Sequence, residues 1–175
     1  MQLMPLPVKL HMLLWAALLS ACAAPYSPPS STNASRVRVL STQTDISASV
    51  RAVRYAAGRC DAPMDLGTVG GIARWQASTT ANMPGSSVLA DKTYIERAIP
   101  AGSPYLISVR GLFEGKHCVI STLLHPVAGQ DYELEYSWGG GQCRLLAYAI
   151  SESSKSATKL LMRQEKTPPC TKGLS

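Results

Sequence analysis

The chain has 175 residues, of which 17 are Lys or Arg and 11 are Asp or Glu, and 46% of the residues are hydrophobic. This length suits one domain with short appendages, and the hydrophobic content is enough for a core, which excludes a wholly disordered chain. The 12 prolines and 13 glycines argue against a long-helix or coiled-coil protein. No apolar run approaches the roughly 20 residues of a membrane-spanning helix.

The first 22 residues have the pattern of an export signal. Lys9 precedes a short, mostly apolar run at residues 10–19, and the sequence then reads Leu19-Ser20-Ala21-Cys22. The run covers only about half of a hydrocarbon core of about 30 Å, so it predicts a cleaved signal rather than an anchor helix. Residues 19–22 resemble the lipobox of bacterial lipoproteins.

This resemblance implies a lipid anchor. Signal peptidase II would cut between Ala21 and Cys22, the Cys22 sulfur would receive a diacylglyceryl group, and the new amine would receive an acyl chain such as palmitate. Two or more acyl chains hold a protein stably at a membrane, whereas one holds it only marginally. Ala23 stands where an Asp would signal inner-membrane retention, which favours the outer membrane of a Gram-negative envelope, facing the periplasm. An ordinary cleaved signal with a chance cysteine is the alternative.

The composition divides the chain into three parts. Residues 1–21 are the predicted lipoprotein signal peptide, and residues 22–35 are the lipidated cysteine followed by an uncharged tether rich in Pro and Ser. A flexible coil of this length reaches about 20 Å. Residues 36–175 form the predicted globular domain.

The predicted domain is all-β. Charged and apolar residues alternate in residues 36–40, residues 49–55 partly repeat this pattern, and further strand-like runs fall at 88–99, 103–113, 117–124, 132–138 and 142–151. Residues 72–75 are too short to assign, and residues 156–164 fit either a helix or a closing strand. About seven short strands separated by turns predict a small antiparallel β-sandwich of the immunoglobulin or transthyretin kind.

Three connectors have turn chemistry. Residues 58–63 contain Gly and Pro and predict a turn, and residues 125–131 predict a hairpin loop because Pro126 cannot donate to a ladder and Gly129 permits a positive φ. Gly139-Gly140-Gly141 predicts a tight hairpin. A phosphate-binding P-loop is excluded, since no Lys-Ser/Thr and no helix follow these glycines.

Apart from Cys22, the chain has four cysteines, Cys60, Cys118, Cys143 and Cys170. In an exported domain they predict two disulfide bonds, for which three pairings are possible. We favour Cys118–Cys143, because these residues flank one meander, and Cys60–Cys170. A metal site is not expected, because the chain lacks the CxxC or HxxxH spacing of zinc sites, and no cofactor is expected.

Several short motifs follow one another along the chain: Asn82-Met83-Pro84-Gly85, Ile99-Pro100-Ala101-Gly102, Cys118, Pro126-x-x-Gly129-x-Asp131-Tyr132-Glu133 and Cys143. Together, and in this order, they resemble a group of small proteobacterial lipoproteins of unassigned activity. The sequence departs from this pattern at Leu124, where an aromatic residue is usual. The resemblance covers about residues 58–150 and implies a small β-sandwich, without a catalytic residue.

The sequence contains few candidates for catalysis. His117 and His125 are more typical of surface histidines than of a general base, and the chain has no Gly-x-Ser-x-Gly elbow. Glu133 and Glu135 lie two apart on one strand face, which would suit glycoside hydrolysis but is more typical of the wet face of a sheet. We therefore expect no catalytic residues and no enzyme activity.

Other residues are candidates for binding. Trp75, Tyr136 and Trp138 would form a ligand platform if exposed, although core packing is the commoner role. Five arginines, Arg36, Arg38, Arg51, Arg54 and Arg59, would form a basic stripe if the first two strands pair, and a solvated face is the alternative.

The predicted function is a non-enzymatic binding or structural module of the cell envelope, held to the membrane by lipid and bound to an envelope protein. The alternative is a periplasmic inhibitor or immunity lipoprotein against a hydrolase or toxin. Nucleic acid is not expected as a partner, because an exported protein does not meet it, and no small-molecule substrate is evident.

Overall fold

The computed structural model describes residues 31–43, 45–71, 81–85, 89, 92–153, 156–163 and 170 of the chain. In this part, a 3₁₀ turn at Ser31–Asn33 precedes nine strands. They are β1 (Ala34–Ser41), β2 (Ser47–Ala56), β3 (Arg59–Val69), β4 (Thr93–Pro100), β5 (Tyr105–Phe113), β6 (Lys116–Leu124), β7 (Asp131–Gly139), β8 (Gln142–Ser153) and β9 (Ser156–Leu161). The described residues include no helix of the length and apolar character needed to cross a bilayer.

The strands form two sheets that pack face to face. Sheet A has the order β4-β1-β7-β8-β9, and sheet B has the order β3-β2-β5-β6. β3 contacts β4 and β6 contacts β8 across the gap between the sheets. Every described strand pair is antiparallel except β1 and β7, which run parallel. The predicted β-sandwich is confirmed, with nine strands rather than about seven and with one parallel pair.

The core lies between the sheets because side chains alternate along a strand and one face of each sheet turns inward. The alternation in β5 and β7 places the expected residues inside. They are Tyr105, Ile107 and Val109 in β5, and Tyr132, Leu134 and Tyr136 in β7. Full burial of each large apolar side chain contributes roughly 1.5–3 kcal/mol, so these alternating faces are the main source of stability.

The prediction of a turn at residues 58–63 is wrong for all of these residues except Gly58. The reversal occupies only Ala57 and Gly58, and β3 begins at Arg59 and runs through Pro63. This is possible because β3 is an edge strand and its pairing with β2 is irregular near Ala62, which has a φ of 47°. Proline is tolerated in edge strands and at bulges, where no ladder hydrogen bond is lost.

The loop expected to form a hairpin at residues 125–131 instead joins the two sheets. It leaves β6 in sheet B and starts β7 in sheet A. By contrast, Gly139–Gly141 does connect an antiparallel pair, with Gly139 opposite Gln142 in the β7–β8 ladder. Residues 156–161 form β9, which resolves the choice between helix and strand. Residues 72–75 lie outside the described residues, as do residues 88, 90 and 91 of the run predicted at 88–99, and β4 covers that run from Thr93 onward.

The sandwich has two distinct ends. The chain enters at the proximal end, where Asn33, the loop 101–104 and the loop 125–130 meet: the Ala101 amide donates to the Asn33 carbonyl, and the Gly102 amide donates to the Pro126 carbonyl. The turn end carries the β1–β2 loop, the Glu114–Gly115 turn and the Gly140–Gly141 turn. The seven residue steps of β1 separate these ends by about 23 Å.

β1 begins earlier than the sequence suggests. The domain was expected from residue 36, but β1 starts at Ala34, and Ser35 is fully buried with its hydroxyl donating to the Val127 carbonyl at 2.6 Å. The predicted signal peptide, Cys22 and the first part of the predicted tether, up to residue 30, lie outside the described residues.

Two disulfide bonds link the structure. Cys118 in β6 is bonded to Cys143 in β8, which joins the two sheets, and Cys60 in β3 is bonded to Cys170 near the end of the chain. These are the pairings favoured from the sequence. Cys60 and Cys170 pack with Val53, Tyr55 and Leu106 in a small apolar cluster separate from the main core. The second disulfide therefore fixes Cys170 against sheet B.

Candidate functional site

The turn end contains a cleft of about 550 Å³. It lies between the β1–β2 loop, the β5–β6 turn and the β7–β8 turn. We call it the turn-end cleft, and its lining residues are Gln43, Ile46, Phe113, Glu114, Gly115, Lys116, His117, Trp138, Gly139, Gly140 and Gly141. Cavities of this volume are within the range that proteins use for small ligands.

Two tight turns form the walls of the cleft. Gly140 and Gly141 have φ values of 60° and 78°, and Glu114 and Gly115 have φ values of 48° and 74°. Two successive residues with positive φ are the geometry of a two-residue hairpin turn that matches the twist of its strands. The glycine run predicted this turn at residues 139–141, whereas the β5–β6 turn carries one glycine and was not singled out.

The floor of the cleft is aromatic and held in place. The rings of Phe113 and Trp138 meet edge to face, with 6.3 Å between their centroids. The backbone amide of Trp138 donates to Gln43 Oε1 at 2.7 Å, which fastens the β1–β2 loop to β7. Of the three residues proposed as a ligand platform, only Trp138 lies in the cleft. Tyr136 is fully buried in the core, and Trp75 lies outside the described residues.

Two further depressions, each of about 400 Å³, adjoin the cleft. One shares Gln43, Trp138 and Gly139 with it and adds Thr42, Ser137, Gln142, Cys143 and Arg144. The other shares His117 and adds Ser47, Ser49, Thr68, Arg110 and Leu112 from the outer face of sheet B. The central cleft thus shares lining residues with each of the two flanking depressions, and we call the three together the turn-end groove.

The turn-end groove is predominantly basic. Arg110, Lys116 and Arg144 line it, and none of them takes part in the ion pairs among the described residues. His117 is a fourth nitrogen donor in its lining, and among the described residues that line the groove Glu114 is the one acid. Asp45 is exposed in the β1–β2 loop at the same end. Apart from His117 and Trp138, these side chains were not singled out from the sequence, because they come from separate strands without a shared motif.

A second concentration of charge lies on the outer face of sheet A and is buried. Arg38 in β1 is opposite Glu96 in β4 and Glu133 in β7. Its guanidinium donates to Glu96 Oε1 at 2.8 and 2.9 Å and to Glu133 Oε2 at 2.8 Å, and the three side chains are at most 2% exposed. The same guanidinium donates to the Met83 and Pro84 carbonyls.

This buried network holds the segment 81–85 against sheet A. Glu96 Oε2 accepts hydrogen bonds from the Ala81 and Met83 amides. Arg36 forms a two-pronged pair with Asp131 at 2.6 and 2.7 Å and donates to the Ala81 and Asn82 carbonyls. Two arginines therefore connect residues 81–84, most of them in the Asn82–Gly85 motif, with Asp131 and Glu133 of the later motif, which gives these motif residues a structural role.

The acidic pair Glu133 and Glu135 is bound by cations instead of being free for catalysis. Lys159 in β9 forms ion pairs with both carboxylates. Burial of the Glu133 carboxylate raises its pKa, but hydrogen bonds from Lys159 and Arg38 outweigh burial, and the pKa lies below its usual value. The expectation that this face of β7 is wet is wrong at Glu133, which is fully buried.

The histidines and arginines do not converge. His117 is the second residue of β6 and His125 follows its last residue, so they lie at opposite ends of one strand, and both are exposed. β1 and β2 belong to different sheets, and the basic stripe proposed for their pairing does not form. Arg36 and Arg38 are held in the network on sheet A, whereas Arg54 pairs with Asp61 at the surface of sheet B.

Fold and site together define a disulfide-linked β-sandwich with a basic, aromatic groove at one end. Comparison of the chain with protein-family models, with curated proteins and with solved structures gives no match.

Proposed function

We propose that this protein is a lipid-anchored, non-enzymatic binding module of the bacterial cell envelope. The proposal combines the lipobox at residues 19–22 with the position of the turn-end groove. Acyl chains on Cys22 would attach the protein to the periplasmic face of the outer membrane, and the tether would separate the domain from the lipid headgroups by up to about 20 Å.

The observation that carries the proposal is the direction of the chain. β1 starts at the proximal end and ends at Ser41, next to the turn-end groove. A tether arriving at Ala34 therefore places the groove at the far end of the domain, about 23 Å from the point of attachment. In this arrangement the groove points away from the membrane, where it is accessible to envelope partners such as a protein.

Two features support a binding role over catalysis. The acidic residues on β7 are neutralised by Arg38 and Lys159, and the two histidines lie at opposite ends of β6.

The two disulfide bonds fit an oxidising compartment outside the cytoplasm.

The experiment is to determine the mature N-terminus and the membrane association of the full-length protein and its Cys22→Ala variant. We expect the N-terminal peptide to begin at an acylated Cys22 and to fractionate with the outer membrane. The Cys22→Ala variant is expected as a soluble protein or an uncleaved precursor. Ala24→Ser is the matched control, because it changes a tether residue close to Cys22 without touching the lipobox or a disulfide bond. A mature protein that starts elsewhere, or unchanged fractionation of Cys22→Ala, would overturn the proposal.

A further inference from the structure

We infer that the turn-end groove binds an acidic carbohydrate, in which linked sugar rings carry carboxylate or phosphate groups. This inference names the ligand of the binding module proposed above and so rests on that proposal. The shape, the charge and the chemical character of the groove each support it.

The shape of the groove suits a chain of linked units. The central cleft of about 550 Å³ shares Trp138 with one flanking depression and His117 with the other. The flanking depressions, of about 400 Å³ each, lie on the sheet A side and the sheet B side of the end. A compact ligand would fill the central cleft alone, whereas an oligomer would follow the whole path.

The charge of the groove suits an anion. One arginine lies in each flanking depression, Arg144 on one side and Arg110 on the other, and Lys116 lies in the cleft between them. All three side chains are exposed, and no ion pair among the described residues uses them. Guanidinium groups bind carboxylates and phosphates through paired hydrogen bonds, so two separated arginines fit acidic groups spaced along a polymer.

The remaining lining suits sugar rings. Trp138 is partly exposed and meets Phe113 edge to face, and an aromatic ring offers an apolar face to the C–H groups of a sugar. Hydroxyl and amide side chains also line the three depressions, and they both donate and accept hydrogen bonds, as sugar hydroxyls require. These side chains are Thr42, Gln43, Ser47, Ser49, Thr68, Ser137 and Gln142.

An acidic peptide fits the groove less well. Extended peptides gain affinity by adding a strand to a sheet edge through main-chain hydrogen bonds. The central cleft is formed by two closed turns, Glu114–Gly115 and Gly140–Gly141, and by the loop at Gln43. Turns of this kind end the strand ladders, so recognition there depends on side chains.

The test is calorimetric titration of the purified full-length lipoprotein in nanodiscs with four defined probes. These are an oligogalacturonate, a phosphorylated oligomannose, a neutral galacto-oligosaccharide of equal length and a polyglutamate peptide of equal charge. We expect at least one of the two acidic sugars to bind, its affinity to fall with added salt, and the neutral sugar and the peptide to bind at least tenfold more weakly. The two acidic probes separate carboxylate from phosphate recognition.

Variants locate the binding to the groove. Arg110→Ala and Arg144→Ala are each expected to weaken binding of the acidic sugar by about tenfold, since each removes a charged hydrogen-bond donor. Arg59→Ala is the control, because Arg59 is exposed and lies outside the groove, at the proximal end. Thermal unfolding of each variant checks that the fold is retained.

Three results would overturn the inference: no binding of either acidic sugar, preferred binding of polyglutamate, or equal weakening by Arg59→Ala. None of these results bears on the lipid anchor, because the nanodisc protein is titrated after its N-terminus has been established. Conversely, failure of Cys22 lipidation would refute the proposed envelope role. The same four probes could then still be titrated into the unlipidated protein in detergent-free solution.

Discussion

Arg38 and Glu133 form an ion pair of 2.8 Å, with side chains that are 2% and 0% exposed. The parallel pairing of β1 with β7 places the two residues in register, and the antiparallel pairing with β4 brings Glu96 to the other side of the same arginine. A buried ion pair stabilises a fold only when its remaining donors and acceptors are satisfied. Here the Met83 and Pro84 carbonyls accept further hydrogen bonds from the Arg38 guanidinium.

We therefore expect Arg38→Ala to reduce the free energy of unfolding by roughly 3–5 kcal/mol, because it leaves the buried Glu96 carboxylate without this cation and leaves Glu133 with Lys159 alone. Urea denaturation of the purified domain measures the change. Arg54→Ala is the matched control: the Arg54–Asp61 pair has the same charges but is exposed, and no measurable loss is expected. Similar stability of the two variants would contradict the role assigned to the network.

Acid is expected to weaken the fold through Glu133. The pKa of Glu133 in the folded protein lies below its ordinary value of 4.5, so its ionised form stabilises the native state above that pH. This contribution is lost as the pH falls below 4.5 towards the folded-state pKa. Urea unfolding of the wild type and of Glu133→Gln across pH 3–6 checks the sign: the wild type should lose more stability on acidification than the variant. A steeper loss of stability on acidification in Glu133→Gln than in the wild type would refute the role assigned to the Glu133 carboxylate.

Each disulfide bond is expected to stabilise the domain. In the chain-entropy model, the loops closed by Cys118–Cys143 and Cys60–Cys170 correspond to about 3.5 and about 4.8 kcal/mol, and these are upper estimates. Non-reducing peptide mapping should recover both pairs. The double variant Cys60→Ser/Cys170→Ser should also expose the apolar cluster at Val53 and Leu106, which increased binding of a hydrophobic dye would report. Recovery of any other pairing would contradict the fold.

Gly111 is expected to tolerate no side chain while Tyr136 is present. A Cβ atom at Gly111 would overlap the Tyr136 hydroxyl, and Tyr136 is fixed in the core with no exposed surface. Gly111→Ala should therefore lower the unfolding free energy by about 1–3 kcal/mol. Because Tyr136→Phe removes the nearest atom, it should partly rescue Gly111→Ala in a double-mutant cycle measured by thermal unfolding. Simple additivity of the two substitutions would show that the overlap is relieved in another way.

Local sequence patterns predicted the strands well where one face meets the core and the other meets solvent. In β5 the alternation of Tyr105, Ile107 and Val109 identified the inward face, because burial on one side gives a period of two. The same reasoning failed for β3, where an edge position and an irregular ladder accommodate Pro63. It also misjudged the outer face of β1 and β7, because a pattern of charges does not reveal whether another segment covers them.

Local sequence was enough for the all-β class, the inward faces of the central strands, the hairpin at Gly139–Gly141 and the expectation of two disulfide bonds, since each depends on local periodicity, turn chemistry or the number of cysteines. Which of the three possible cysteine pairings forms is decided by the fold. The tertiary structure alone decided that Arg38 is buried between Glu96 and Glu133 and that Arg110, Lys116, Trp138 and Arg144 line one groove. These groups come from strands far apart in the chain. Strand order and register bring them together, and both are set by long-range packing that no short stretch of sequence records.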